Sequence, residues 1–159
     1  MRAAVLTVSD RVSAGVYEDR GGDILASLLA EDGFEVERRV VSDELAEIEE
    51  AILGLSLLTT LIITTGGTGV APRDITPDAT ELVIDRLIPG IAQAIRADAI
   101  AKTPHGLLSR GVAGVRGRTL IVNLPGSPGG CKDGYAVLRP ALHHALELIS
   151  DEPTEHHQT

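Results

Sequence analysis

The sequence predicts an α/β fold in which a mostly parallel sheet carries helices on both faces. Short aliphatic runs at residues 2–9, 61–65 and 119–123 lack polar alternation, as strands buried on both sides do. Segments with apolar residues at helical spacing separate them. One Phe, two Tyr and no Trp leave Val, Leu, Ile and Ala to build the core. Strands that alternate with helices imply crossover connections, and so a parallel sheet covered on both faces.

The chain opens on the strand at 2–9 and enters a polar loop holding Gly15, Gly21 and Gly22. Ile24, Leu25, Leu28 and Leu29 mark one face of a helix that stops near Gly33. Residues 34–41 alternate apolar with charged side chains, the pattern of a more exposed strand. Leu45, Ile48, Ile52 and Leu55 define a second amphipathic helix. After the strand at 61–65 comes a glycine-rich loop at 66–75. A helix starts next, with Thr76 as cap, Pro77 at the first helical position and Asp78 at the positive end of the dipole. It is expected to reach Leu87, and Pro89-Gly90 separates it from another helix at 91–102. The strand at 119–123 is the last clear one. Leu138, Ala141, Leu142, Ala145 and Ile149 form the core face of a closing helix in which Pro140 is a kink or a start.

A chain of 159 residues, 43% hydrophobic and 23% charged, has the size and composition of one folded domain. That domain is expected over residues 1–150, followed by a polar tail at 151–159. No apolar run approaches the roughly 20 residues that cross a bilayer, and residues 1–5 are expected to open a strand and not a signal peptide. The single cysteine, Cys131, has no internal partner, so a soluble protein of the reducing cytoplasm is expected. The formal net charge of −9 disfavours nucleic acid and acidic membrane surfaces. A small phosphorylated ligand stays open, because a few backbone N–H groups can hold it.

In a parallel sheet, ligands bind beyond the carboxyl ends of the strands. Three loops leave buried strands there: Ser9-Asp10-Arg11, Thr65-Gly66-Gly67-Thr68-Gly69 and Asn123-Leu124-Pro125-Gly126-Ser127. All three are expected on one edge. Gly66, Gly67 and Gly69 either bring backbone amides close to an anion or make an ordinary strand-to-helix turn. If they cradle phosphate, Gly67→Val is expected to abolish binding and spare the fold, since the loop lies outside the core. Asp74 either holds Mg²⁺ or pairs with Arg73 in a turn. On spacing alone Asp43, within Ser42-Asp43-Glu44, reads as a helix cap. Pro125 and Pro128 shape the last loop for a flat ring or a phosphate, or make it a rigid turn. Ser109-Arg110 and the cations Arg116, Arg118 and Lys132 either neutralise anionic oxygens or stay solvated. His143 and His144 are adjacent, hence on different sides of a helix, and no His-Glu-x-x-His pattern exists; zinc is not expected.

Thr64-Thr65-Gly66-Gly67-Thr68-Gly69, followed by Pro72-Arg73-Asp74-Ile75-Thr76-Pro77-Asp78-Ala79-Thr80, resembles the signature of the molybdopterin-binding proteins of molybdenum cofactor biosynthesis. That family includes the bacterial molybdopterin adenylyltransferases and the G domain of gephyrin. The resemblance runs through Ser9-Asp10-Arg11, Thr103-Pro104, Leu108-Ser109-Arg110, Gly114-Val115-Arg116-Gly117 and Asn123-Leu124-Pro125-Gly126-Ser127-Pro128. It covers nearly all of residues 2–150 in order.

The resemblance implies a three-layer α/β/α sandwich that assembles as a homotrimer and moves AMP from ATP to molybdopterin with Mg²⁺. Asp43 and Asp74 fall on the family's two catalytic aspartates, which turns both from structural to functional candidates and makes them the implied Mg²⁺ ligands. Ser9, Asp10, Gly66, Gly67, Thr68, Gly69, Ser109, Arg110, Asn123, Pro125, Gly126 and Ser127 become the implied contacts for pterin and nucleotide. The molybdenum insertase of the same pathway is an implied partner. Gly129-Gly130 depart from the lysine or other polar residue that many relatives carry, with Lys132 a candidate substitute. The alternative function is a paralogue that binds the pterin without turnover. A scaffold of the gephyrin kind is not expected, because no second domain or long linker accompanies the fold.

Overall fold

Residues 3–8 point alternately to the two faces of the sheet, yet all are buried, which requires a central strand with helices on both sides. In the computed structural model, which describes residues 1–150, they form β1 (Arg2–Val8). The single-turn α1 (Asp10–Ser13), α2 (Arg20–Glu31), β2 (Glu35–Val41), α3 (Leu45–Ser56) and β3 (Leu61–Thr65) follow. Then come α4 (Thr76–Val83), β4 (Arg86–Leu87), α5 (Pro89–Lys102) and a 3-10 turn (Pro104–Leu108). β5 (Ala113–Arg116), β6 (Thr119–Leu124) and α6 (Pro128–Ser150) complete the order. The polar tail expected at 151–159 lies outside the described residues.

The sheet order is β2-β1-β3-β6-β5-β4. Strands β2, β1, β3 and β6 are parallel, while β5 and β4 add antiparallel pairs at one side. Each face has its own aliphatic core. Leu25 and Leu29 of α2, with Leu138, Leu142 and Leu146 of α6, pack on Val5, Ile63 and Val122, and α5 adds Ile91 and Ile95. On the other face Ile48, Ile52 and Leu55 of α3 and Val83 of α4 cover Leu6, Ile62 and Ile121. Each such side chain contributes about 1.5–3 kcal/mol on burial, so the core needs little aromatic bulk. These are the three layers that the resemblance implies. Among the described residues no helix is long and apolar enough to cross a membrane.

Local chemistry moved several element boundaries. Gly21 and Gly22 belong to the first turn of α2, because Asp19 caps that helix by accepting from the Gly22 N–H at 3.0 Å. Residues 86–87 leave the expected helix for β4, where the Asp85 and Ile88 N–H groups donate to Val115 and Ala113 carbonyls at 2.8 Å. The partner strand β5, four residues with a glycine inside, shows no readable period. Pro89 starts α5 at the helical position that tolerates proline and does not separate two helices. α6 begins at Pro128, well before Leu138, and Pro140 lies inside it.

One buried side chain ties the layers together. Asn123 Nδ2 donates to Thr64 Oγ1 at 2.9 Å and Thr80 Oγ1 at 3.0 Å, while its Oδ1 accepts from the Val112 N–H at 3.2 Å. Thr80 Oγ1 in turn donates to the Thr76 carbonyl at 2.8 Å. Among the described residues no buried side-chain nitrogen or oxygen lacks a partner. Asn123→Ala strands the Val112 N–H and empties the space, and the expected cost is about 2–4 kcal/mol. Urea unfolding reads it as a lower midpoint with an unchanged slope; a wild-type midpoint would deny the network its stabilising role.

Candidate active site

From β1 the chain moves to β2 on one side and later to β3 on the other, so the topological switch point lies between the carboxyl ends of β1 and β3. A cleft of about 440 Å³ opens there, lined by Ser9, Asp43, Gly66, Gly67, Asp74 and Gly126 among others. Tyr17 and Asp19, from the loop between α1 and α2, also line it. The sequence held no periodic signal for these two.

Asp43 is not the cap of α3. Glu44 takes that position without a side-chain bond, and Asp43 Oδ2 instead accepts from the Asp10 N–H at 2.8 Å. Asp10 Oδ1 reciprocates by accepting from the Asp43 N–H at 3.0 Å, which clasps the loops after β1 and β2. Arg73 closes the clasp from the glycine loop: Nε donates to Asp10 Oδ2 at 2.7 Å, and Nη2 to Asp10 Oδ1 at 3.1 Å and Glu44 Oε1 at 2.9 Å. Arg73 therefore pairs with Asp10 and Glu44, not with Asp74, whose Oδ2 accepts from the Ala71 N–H at 3.0 Å.

Acidities follow from these contacts. The Arg73 hydrogen bond, helped by the Asp43 N–H, holds the Asp10 carboxyl below its usual range. Bonds to Asp10 and Glu44 raise Arg73 in turn. Asp43 goes the other way: burial pushes it up, the Asp10 and Asp74 charges add to that, and the Asp10 N–H and Arg73 oppose it. Asp43 and Asp74 both line the one cleft, and Asp43 is the partly desolvated member of the two. Mg²⁺ is commonly held by one or two carboxylates together with substrate phosphates, and this pair fits that requirement. Among the described residues no group of three or more His, Cys, Asp or Glu is placed to hold a metal ion.

The glycines answer first to the loop itself. Gly66 and Gly67 have φ of 99° and 66°, in the left-handed region. A Cβ on Gly66 would overlap the Val8 carbonyl oxygen, and one on Gly67 would overlap the Thr76 hydroxyl. That hydroxyl does not cap α4, because it donates to the Gly66 carbonyl at 2.9 Å. The Gly66 N–H is committed to the Leu124 carbonyl at 3.2 Å. Gly67→Val therefore strains the loop whether or not a ligand binds, contrary to the expectation that the fold would be spared.

A second groove, also about 440 Å³, lies across the glycine loop and is lined by Thr68, Gly69, Ser109, Pro125 and Ser127. Arg96 shapes it by donating to the Ser109 and Gly111 carbonyls at 3.0 and 3.1 Å. Ser127 Oγ accepts from the Gly130 N–H at 3.1 Å and so caps α6. Lys102 stands in the groove between Asp98 at 2.9 Å and Asp133 at 3.3 Å. Under the loop that divides the two hollows, the Thr65 hydroxyl and the Cys131 thiol both donate to the Pro125 carbonyl, at 2.8 and 3.1 Å. Burial pushes the Cys131 thiol up to about 11.

The expected binding residues thus divide. Ser9, Gly66, Gly67 and Gly126 line the cleft; Thr68, Gly69, Ser109, Pro125 and Ser127 line the groove. Asp10, Arg110 and Asn123 line neither. Asp10 is held in the clasp, and Asn123 is 4% exposed with its polar atoms spent on the scaffold. Arg110 pairs with Asp78 and donates to the Gly69 carbonyl at 3.2 Å. Arg116 and Arg118 sit at the β5–β6 turn, on the opposite edge of the sheet. Gly129 and Gly130 line the groove, while Lys132 lines neither hollow.

An open α/β sheet with a carboxylate-bearing cleft at its switch point defines a ligand-binding protein of the doubly wound class. Residues 4–144 match the family model described as a probable molybdopterin binding domain, and the chain belongs to that family. It is 38% identical over 150 residues to a molybdopterin adenylyltransferase of Helicobacter pylori, spanning 91% of this chain and 85% of that one. To the molybdopterin adenylyltransferase of Escherichia coli K12 it is 41% identical over 138 residues, 84% of this chain and 71% of the other. The molybdopterin biosynthesis Mog protein of Mycobacterium ulcerans has the same fold, with a TM-score of 0.90 at 48% identity over 94% of this chain and 99% of that one.

Gly67→Val is expected to cost about 1–3 kcal/mol of stability without any ligand present. Thermal and urea melts of the free protein measure it. Wild-type stability would show that the loop tolerates a side chain there.

Proposed function

We propose that this protein transfers AMP from ATP to molybdopterin in a Mg²⁺-dependent step of molybdenum cofactor biosynthesis. The observation that carries the reading is the convergence of Asp43 and Asp74 beside the glycine loop. It stands in a chain 38% and 41% identical to proteins named molybdopterin adenylyltransferase.

Two substrates must meet, and hollows open on both sides of residues 66–69. The nucleotide is assigned to the cleft, where paired carboxylates suit a cation-bound triphosphate. The pterin is assigned to the groove, where Ile95, Leu108 and Pro125 offer apolar wall to a flat ring. A terminal phosphate oxygen of molybdopterin then bonds to the α-phosphorus of ATP. The bond from that phosphorus to the bridging oxygen breaks in line, and pyrophosphate leaves with its electron pair. Such a reaction needs positioning and charge neutralisation more than covalent help.

The chain's own residues supply the positioning. Asp10, itself held by Arg73, fixes Asp43, and the loop amides beyond Gly66 are assigned to the phosphates. Asp43 and Asp74 would hold Mg²⁺, which when bound neutralises charge on phosphate oxygens. A partly buried carboxylate pair facing a polyanion is unfavourable without a cation, which supports the metal requirement. A cytoplasmic location, and hand-over of product to the molybdenum insertase, belong to the same reading. So does a homotrimer, supported by the contrast between the two sides of the sheet: edge strand β2 is rich in charge, while Leu87 of edge strand β4 and Leu82 of the preceding α4 are exposed.

The second reading, pterin binding without turnover, is favoured by one observation. Gly129 and Gly130 line the groove at the position where the family resemblance implies a lysine or other polar side chain, and Lys132 does not line it. Incubation with molybdopterin, ATP and Mg²⁺ separates the readings: adenylylated pterin and pyrophosphate appear in the first, bound but unchanged pterin in the second. Asp74→Asn is expected to keep the fold and pterin binding and to slow transfer at least about tenfold, ~1.4 kcal/mol of barrier. Unchanged turnover would remove Asp74 from the mechanism. Light scattering at micromolar concentration is expected to give three times the chain mass; a monomer would contradict the assembly.

A further inference from the structure

Among the described residues Tyr17 is the only exposed Phe or Tyr. The chain has no Trp, and Phe34 and Tyr135 are 6% and 1% exposed, whereas Tyr17 is 60% exposed. It lines the same cleft as Asp43, Asp74, Gly66 and Gly67. An exposed aromatic ring at the wall of a polar cleft is a surface that a second flat ring can cover.

The segment that carries it is tied down at both ends. On one side the Gly15 N–H donates to the Val12 carbonyl and the Val16 N–H to the Arg11 carbonyl, both at 3.0 Å. On the other, Asp19 caps α2 and accepts from the Thr7 hydroxyl at 2.7 Å and from Arg38 at 2.8 Å. Its ring is therefore presented on a fastened loop, and little ordering is left for a ligand to impose.

We propose that Tyr17 stacks on the base of the nucleotide, so that the cleft grips its ligand at two ends. Asp43, Asp74 and the glycine loop take the phosphates, and Tyr17 takes the ring. This rests on the assignment of the nucleotide to the cleft. Stacking rewards any flat base over none, so the contact contributes affinity for a nucleotide over a bare polyphosphate without selecting among purines.

The test compares ATP with inorganic tripolyphosphate, each with Mg²⁺, in calorimetric titrations of wild type, Tyr17→Ala and Tyr17→Phe. Tyr17→Ala is expected to weaken ATP about tenfold and leave tripolyphosphate unchanged, while Tyr17→Phe keeps ATP affinity within about twofold. In turnover, the loss in Tyr17→Ala appears in KM for ATP and not in KM for molybdopterin. Thermal melts establish that all three proteins are folded. Equal weakening of both ligands, or no weakening of ATP, overturns the stacking contact; so does a Tyr17→Phe defect as large as that of Tyr17→Ala, which would point to the hydroxyl. If wild type binds neither ligand, the assignment of the nucleotide to the cleft falls, and the stacking contact with it.

Discussion

Reciprocal bonding between Asp10 and Asp43 is the contact on which the candidate site depends. Each carboxylate accepts the backbone N–H of the other, so the loops after two neighbouring strands are locked at their tips. Two carboxylates so close would repel, and Arg73 offsets that repulsion from a third loop. Arg73 stands directly before Asp74 in the chain. One guanidinium thereby sets the spacing between the loop that carries Asp43 and the loop that carries Asp74. The three groups are partly exposed, so salt screens their charges and the clasp is worth more as a positioner than as a source of stability.

Beneath the clasp, the division of the edge into two hollows is a matter of backbone. The glycine loop passes beside the end of β1 because Gly66 offers no side chain to the Val8 carbonyl, and its far half is pinned by the Arg110 N–H on the Thr68 carbonyl at 2.8 Å. Pro125 and Gly126 form the opposite wall, held from below by Thr65 and Cys131. A wall shared by both hollows places whatever each one binds at a fixed separation. Positional control of that kind is what in-line group transfer demands of a protein.

Much of the fold is legible in the sequence, and the parts that are not have physical causes. The buried strands announced themselves because residues covered on both faces cannot alternate, and their carboxyl ends gave the site's edge. Spacing misled at Asp43, where cap chemistry and a long-range backbone bond call for the same residue type. The resemblance implies Asn123 as a ligand contact, yet its amide serves Thr64, Thr80 and Val112. β4 and β5 were invisible, since a two-residue and a four-residue strand owe their form to pairing and not to any local preference. Nothing in the sequence marks Tyr17, because exposure is a tertiary property and a tyrosine in a polar loop has no pattern around it.

Strand β6 lies between β3 and β5, although the chain makes β4 and β5 first. During synthesis the inner edge of β3 therefore waits, its ladder groups unpaired, until residues 119–124 have been added. At about 5–20 residues per second the wait is about 3–12 s. The strand left open, Leu61–Thr65, is short, aliphatic and uncharged, which is the composition most prone to pair with another chain. The geometry that puts the switch point next to β3 in the finished protein thus makes the nascent one a client for whatever shields open sheet edges in the cell.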